Sequence, residues 1–157
     1  MERISAVIIN ESNNKGMKKI MFFSFILFLG CLGCKKTADA DLIKVKWVLS
    51  YIQDTKTNAI KNYPSDAARK ISIVFTDSLN VISFNGVCNG GWGTYSYSLG
   101  TGAIKVTNLA TTQIGCQFGE WEGYTIQNLY TAFRYKINES SLEIYSNGAY
   151  NLYFNKD

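Results

Sequence analysis

From position 44 onward, apolar residues recur at every second position in short runs, a period that admits strands and not helices. Val45, Trp47 and Leu49 alternate over 44–52, and Ile71, Ile73 and Phe75 alternate up to Asp77-Ser78. The apolar run returns at once in Val81-Ile82-Ser83-Phe84, which reads as a hairpin. Tyr95 and Tyr97 mark the next strand, Gly100-Thr101-Gly102 a turn, and Ile104, Val106 and Leu109 the strand after it. The polar stretch 53–68 holds the only proline, Pro64, and reads as a long surface loop. Aromatic residues make up 14% of the chain, with ten Tyr and nine Phe, a bias that suits pleated, half-buried surfaces.

One segment breaks the period. Ile126, Leu129, Tyr130 and Phe133 stand at i, i+3, i+4 and i+7, one face of a helix predicted over 120–133. Glu120 and Glu122 fall near its start, where the macrodipole favours carboxylates. Beyond it, 135–137, 142–145 and 149–154 read as three more strands, with Asn147-Gly148 as a hairpin turn between the last two. The sum is a mainly β (α+β) domain: a small antiparallel β-barrel or strongly curled sheet of about eight strands, with one α-helix on a face or end.

The N-terminal segment reads as an address. Met17-Lys18-Lys19 precedes ten residues, 20–29, of which only Ser24 is not apolar, matching the n-region and h-region of a signal peptide. Ten helical residues rise about 15 Å, half of a hydrocarbon core, so a stable membrane span is disfavoured. The polar stretch 1–16 reads as an over-called start. Small residues before Cys31 and Cys34 resemble a lipobox. Cys34 is the preferred acylation site and Cys31 the second choice, because Cys34 leaves the fuller h-region and opens a polar tether at Lys35-Lys36. The expected layout is a signal peptide over 1–33, a lipidated cysteine and tether over 34–43, and one domain over 44–157. Its expected place is the bacterial cell envelope, held to a membrane by N-terminal lipid, with the domain in the periplasm or at the cell surface.

Charge and composition exclude several functions. Residues after position 33 hold twelve basic and ten acidic side chains with no Lys/Arg stripe, so no nucleic-acid partner is expected. The chain contains no histidine, which removes Ser-His-Asp and Cys-His chemistry and His-ligated metal sites. No catalytic residue, metal or cofactor is expected, and the domain is expected to be a monomer. With Cys34 acylated and Cys31 discarded, Cys88 and Cys116 remain, an even pair that in an oxidising compartment reads as a disulfide; two buried free thiols are the alternative.

The motif order resembles the META/HslJ family of small bacterial envelope domains. Trp47 and Leu49, then Ile73 and Phe75, precede Cys88-Asn89-Gly90-Gly91-Trp92-Gly93-Thr94-Tyr95, which looks like that family's Cys-Asn bend. Thr112 four residues before Cys116 fits its second signature, and Leu129, Leu142, Ile144, Leu152 and Phe154 complete the order. Val87 and Gly115 depart from the usual glycine and alanine. The resemblance spans about 44–155 and implies a β-rich exported or lipid-anchored domain without established catalysis.

The glycine-rich segment 86–93 is the most unusual local sequence. It reads either as a binding loop carrying Asn89, Trp92 and Tyr95, or as a tight bend whose glycines supply positive φ and whose Asn89 satisfies backbone donors. Trp92 is expected to pack inward, as bulky aromatics mostly do. Glu120 and Glu122 are expected as helix-terminus charges more than an acid–base pair. Tyr95, Tyr97, Tyr145, Tyr150 and Tyr153 would line a cavity if the barrel were hollow. The functional expectation is a non-catalytic, membrane-anchored envelope lipoprotein that binds another macromolecule, with an envelope protein as partner, or supports envelope integrity. The alternative is a small-ligand carrier using the barrel interior.

Overall fold

In the computed structural model, which describes residues 42–157 apart from Leu99, the alternating runs pair in order and then close on themselves. The strands are β1 (Lys46–Asp54), β2 (Ile60–Asn62), β3 (Ser72–Thr76), β4 (Val81–Asn85) and β5 (Gly90–Ser98). They continue as β6 (Ala103–Thr111), β7 (Ala132–Ile137), β8 (Ser141–Ser146) and β9 (Tyr150–Lys156), with one helix, α1 (Gly119–Tyr130), between β6 and β7. β1 pairs with β3 through Lys46–Val48 and along nearly its whole length with β9, so β1 and β3 to β9 form a closed eight-stranded antiparallel barrel. Closure pairs the two strands that would otherwise be open edges. β2 is an extra strand on the far half of β1. It lies inside the stretch read as loop, because its three residues are all exposed and carry no burial pattern.

The expected alternation fills the interior. Trp47, Ile52, Ile73, Phe75, Ile82, Phe84, Leu142, Ile144, Leu152 and Phe154 are all buried and belong to one continuous cluster. Burial of this apolar surface is the main force for folding, at about 25 cal/mol per Å². The period slips where the register does. Between Leu49 and Tyr51 the β1–β9 ladder shifts, so the inward set runs Trp47, Leu49, Ile52, and Tyr51 is turned out to stack on Tyr153 at 4.4 Å. A second shift, between Trp92 and Thr94, sits opposite Asn108, whose φ of 53° marks an extra residue in β6.

The two ends close differently. At one end Leu42 is fully buried and its carbonyl accepts the Trp47 indole N–H at 3.2 Å. At the other, α1 packs against β6, β8 and β9 and sends Trp121, Thr125 and Leu129 inward. The helix is shorter than the predicted 120–133. β7 begins at Ala132, so Phe133 lies on a strand and is exposed, as is Tyr130. The buried face is Trp121, Glu122, Thr125, Asn128 and Leu129, rotated from the apolar stripe read in the sequence. That face is half polar, and its polar members bond across the barrel end.

Candidate functional site

The helix-closed end gathers both signature segments. The chain leaves β4 at Asn85, turns through 86–89 and enters β5; after β6 it runs through 112–118 into α1. Cys88 and Cys116 form a disulfide, with Cα atoms 6.4 Å apart, that ties the two segments together. Closing a loop with a sequence separation of 28 stabilises the fold by about 3–4 kcal/mol in the chain-entropy model.

Glu122, only 4% exposed, sits beneath this bend. Its Oε1 accepts the backbone N–H groups of Cys88 at 2.7 Å and Asn89 at 3.0 Å, and its Oε2 accepts Asn89 Nδ2 at 2.6 Å. Asn89 Nδ2 also donates to the Ile114 carbonyl at 2.9 Å. Its Oδ1 accepts the Thr112 hydroxyl at 2.9 Å and the Ile114 N–H at 2.7 Å. Asn89 therefore uses both donors and both acceptor sites. The arrangement is a latch: bend, following segment and helix are joined by a buried hydrogen-bond network and one covalent bond.

The latch explains the glycines differently from the sequence. Among the described residues, positive-φ glycines are Gly100 and Gly102, in the β5–β6 turn; those of 86–93 are not among them. Gly86 is required because a Cβ there would collide with the Glu122 carboxyl group. Gly91 and Gly93 are pressed against β6, where a side chain would meet the Ala110 carbonyl and the Leu109 backbone. Close approach, not backbone handedness, is the constraint.

The three residues of the candidate binding loop are not brought together. Asn89 is consumed in the latch. Tyr95 points inward, 3% exposed, with its ring edge-on to Phe75 at 4.9 Å and its hydroxyl donating to the Thr76 carbonyl at 3.1 Å; burial pushes its phenol up. Trp92 faces out from β5 and is 59% exposed, which overturns the expected inward packing. Strand parity decides this, because Gly93 and Tyr95 hold the inward positions.

The two helix carboxylates divide as well. Glu120 is exposed and lies 3.7 Å from Lys61, which in turn stands over the rings of Trp121 and Tyr124. Glu122 stands in the first turn as expected, but its role is to hold the bend. Cys88, Cys116 and Glu122 bring metal-ligand atom types together, yet the two sulfurs are bonded to each other, leaving one carboxyl ligand.

Of the tyrosine set, only Tyr95 is buried in the interior. Tyr97 is half-buried between Tyr95 and Tyr135, and Tyr150 packs edge-on to Tyr124 at 5.1 Å. Tyr145 and Tyr153 lie on the outer face. The Tyr145 hydroxyl donates to Glu143 Oε2 at 2.5 Å, and that bond, with some desolvation, holds its phenol up at about 12. Tyr153 donates to Gln53 Oε1 at 2.8 Å.

Sequence reasoning missed Asn128. Its Oδ1 accepts the Ser146 hydroxyl and the Tyr150 N–H, both at 2.9 Å, and its Nδ2 donates to the Tyr124 carbonyl at 2.7 Å. This rivets the end of α1 to the β8–β9 turn, where a side chain at Gly148 would strike Asn128. The signal was a polar residue one place before Leu129 on an otherwise inward helix face. The lipidation candidates Cys31 and Cys34, the signal peptide and most of the tether lie outside the described residues.

Fold and latch together define a disulfide-stapled, helix-plugged antiparallel β-barrel. The chain belongs to the META domain family, whose profile matches residues 40–157. Among solved structures it is similar to a protein from Burkholderia xenovorans studied by NMR, at 20% identity, with a TM-score of 0.62 over 76% of this chain and 86% of that one. A DUF4847 family protein from Bacteroides vulgatus is similar at 13% identity, with a TM-score of 0.58 over 74% of this chain and 95% of that one. These likenesses are of fold. No curated protein matches the chain.

Proposed function

We propose that the protein is a non-catalytic envelope lipoprotein, anchored through Cys34, that binds another macromolecule with its outer surface and does not turn over a substrate. The observation that carries the reading is the fate of the signature residues. Cys88, Cys116 and Asn89, the reactive or polar groups of the family motifs, are all engaged with one another or with Glu122 and Ile114. Trp92, three residues along the same segment, is left in solvent. A large exposed aromatic beside a rigidly held bend suits an interface anchor, since Trp dominates binding energy at protein interfaces. The interior is filled by the buried cluster, which favours macromolecule binding over a carrier role.

The anchor is tested by metabolic labelling with a fatty-acid analogue. Wild type is expected to label and Cys34→Ser is not; labelling lost only in Cys31→Ser would move the anchor, and labelling lost in neither would end the lipoprotein reading. The surface is tested by crosslinking in living cells. A discrete crosslinked species that disappears in a folded Trp92→Ala variant is the expected result, and an unchanged pattern counts against this face.

A further inference from the structure

A groove runs across the outside of the barrel beside the latch. One part, about 530 Å³, is bounded by Lys46, Arg69, Lys70, Ser72, Asn85 and Gly86. A second, about 420 Å³, continues it past Tyr63, Ser65, Asn155 and Lys156; Val48, Lys70 and Asp157 border both. One wall is the 63–70 segment. It is held in place by the Tyr63 N–H on the Ser50 carbonyl at 2.9 Å, by the Tyr63 hydroxyl on the Arg69 carbonyl at 2.9 Å, and by Tyr63 packing edge-on to Trp121. The groove is therefore built by the fold and not by a loose loop.

Its charge is uneven. Residues 42–157 carry ten basic and eight acidic side chains, a net of +2. The groove alone holds Lys46, Arg69, Lys70 and Lys156 against Asp157, a net of +3, while the other exposed side chains of the described residues balance, Glu122 being buried. Lys46 is bound to Asp157 at 2.7 Å. Arg69, Lys70 and Lys156 make no ion pair among the described residues, while Lys44, Lys61 and Lys136 each have a carboxylate partner. Lys56, Lys105 and Arg134 also lack an ion pair, but they stand on separate elements.

The floor supplies an independent sign. Ser72 alternates with the inward Ile71 and Ile73, so its side chain faces outward into the groove. Walled in, it is only 2% exposed, and its hydroxyl has no hydrogen-bond partner among the described residues. Among the described residues no buried side-chain oxygen lacks a partner, so the unpartnered Ser72 hydroxyl opens onto the groove. A groove-facing hydroxyl beside cations without counter-ions is a set of donors open to an acceptor. A guanidinium, two ammonium groups and a hydroxyl offer more donors than a single carboxylate can accept, and suit the several oxygens of a phosphoryl group.

We propose that this groove binds a phosphoryl group, with Arg69, Lys70 and Lys156 neutralising its charge and the Ser72 hydroxyl donating to one of its oxygens. The group comes either from an anionic phospholipid headgroup or from a free phosphate, and the same donors serve both.

The test uses the full chain in neutral detergent micelles, followed by NMR. Inorganic phosphate is titrated against sodium chloride at matched ionic strength, and in a second arm phosphatidylglycerol or phosphatidylcholine is added to the micelles. Saturable shifts of the 69–72, 85–90 and 155–157 amides are expected with phosphate and not with chloride. If phosphatidylglycerol reproduces them and phosphatidylcholine does not, the source is the headgroup; shifts with phosphate alone assign a free phosphate. Arg69→Gln with Lys70→Gln is expected to weaken binding about tenfold or more, and Ser72→Ala by about threefold with an unchanged spectrum elsewhere. Both cations are exposed, so the double variant tests binding without removing core contacts. Equal responses to phosphate and chloride, or shifts spread evenly over Lys44, Lys61 and Lys105, would overturn the proposal. So would unchanged affinity in the double variant.

Discussion

The helix-closed end and the outer face of β5 are supplied by one short segment, yet they are held by opposite physics. At Asn89 the chain is buried and every polar atom of the side chain is bonded. At Trp92 a much larger side chain is 59% exposed and has no polar partner among the described residues. Where the backbone bends, burial leaves N–H groups that must find acceptors, and a carboxylate from the helix supplies them. Where the backbone is already satisfied by strand pairing, the outward side chain is under no such demand. The difference separates what keeps this domain folded from what it can offer to a partner, and four experiments probe it.

The largest effect is expected at Glu122. Replacing it with Leu leaves the Cys88 and Asn89 N–H groups and Asn89 Nδ2 without their acceptor, and a loss of about 4 kcal/mol is expected, at roughly 1–3 kcal/mol per stranded donor. Urea unfolding measures it; a loss below about 1 kcal/mol would show that the bend holds without the helix. Next comes the staple. Cys88→Ser with Cys116→Ser should lower stability by about 3–4 kcal/mol while keeping the native near-ultraviolet spectrum, because the hydrogen bonds preserve the geometry that the disulfide ties.

On the outer face the expected changes are small. Trp92→Ala should leave stability within about 0.5 kcal/mol, and a loss of 3 kcal/mol would mean the ring is packed after all. The smallest concerns Tyr145. Its phenol is held up at about 12 by Glu143, above the ordinary value of 10.0, so the folded state keeps a proton that the unfolded state releases. That contribution is complete below pH 10 and is lost as pH rises through the folded value. Glu143→Gln should move the Tyr145 phenolate transition, followed by absorbance difference against Tyr145→Phe, toward ordinary values. An unmoved transition would assign the shift to burial.

How much of this was legible depended on the kind of signal. Trp47, Ile73, Phe75, Ile82 and Phe84 announced their strands by alternation, and they form the core where that pattern put them. The helix was legible as an element but not as a face. Its inward side includes Glu122, Thr125 and Asn128, and a hydrophobic stripe cannot report polar residues whose partners lie far along the chain. Glu122 and Cys88 are 34 residues apart, and nothing local in either predicts the other.

Period-two burial, turn chemistry and a cysteine pair are local or compositional properties, so the sequence by itself determined a β-rich domain with one helix, and left Cys88 and Cys116 as a disulfide or two free thiols, which the structure resolves as a bond. Only the tertiary structure decided that the sheet closes. It also decided that the register slips after Leu49 turn Tyr51 outward, that Gly86 is glycine because Glu122 lies against it, and that Trp92 is exposed while Ser72 is covered. Each of these turns on which strand or helix comes to lie beside a residue, and that is settled by long-range pairing and packing, which no window of neighbouring residues contains.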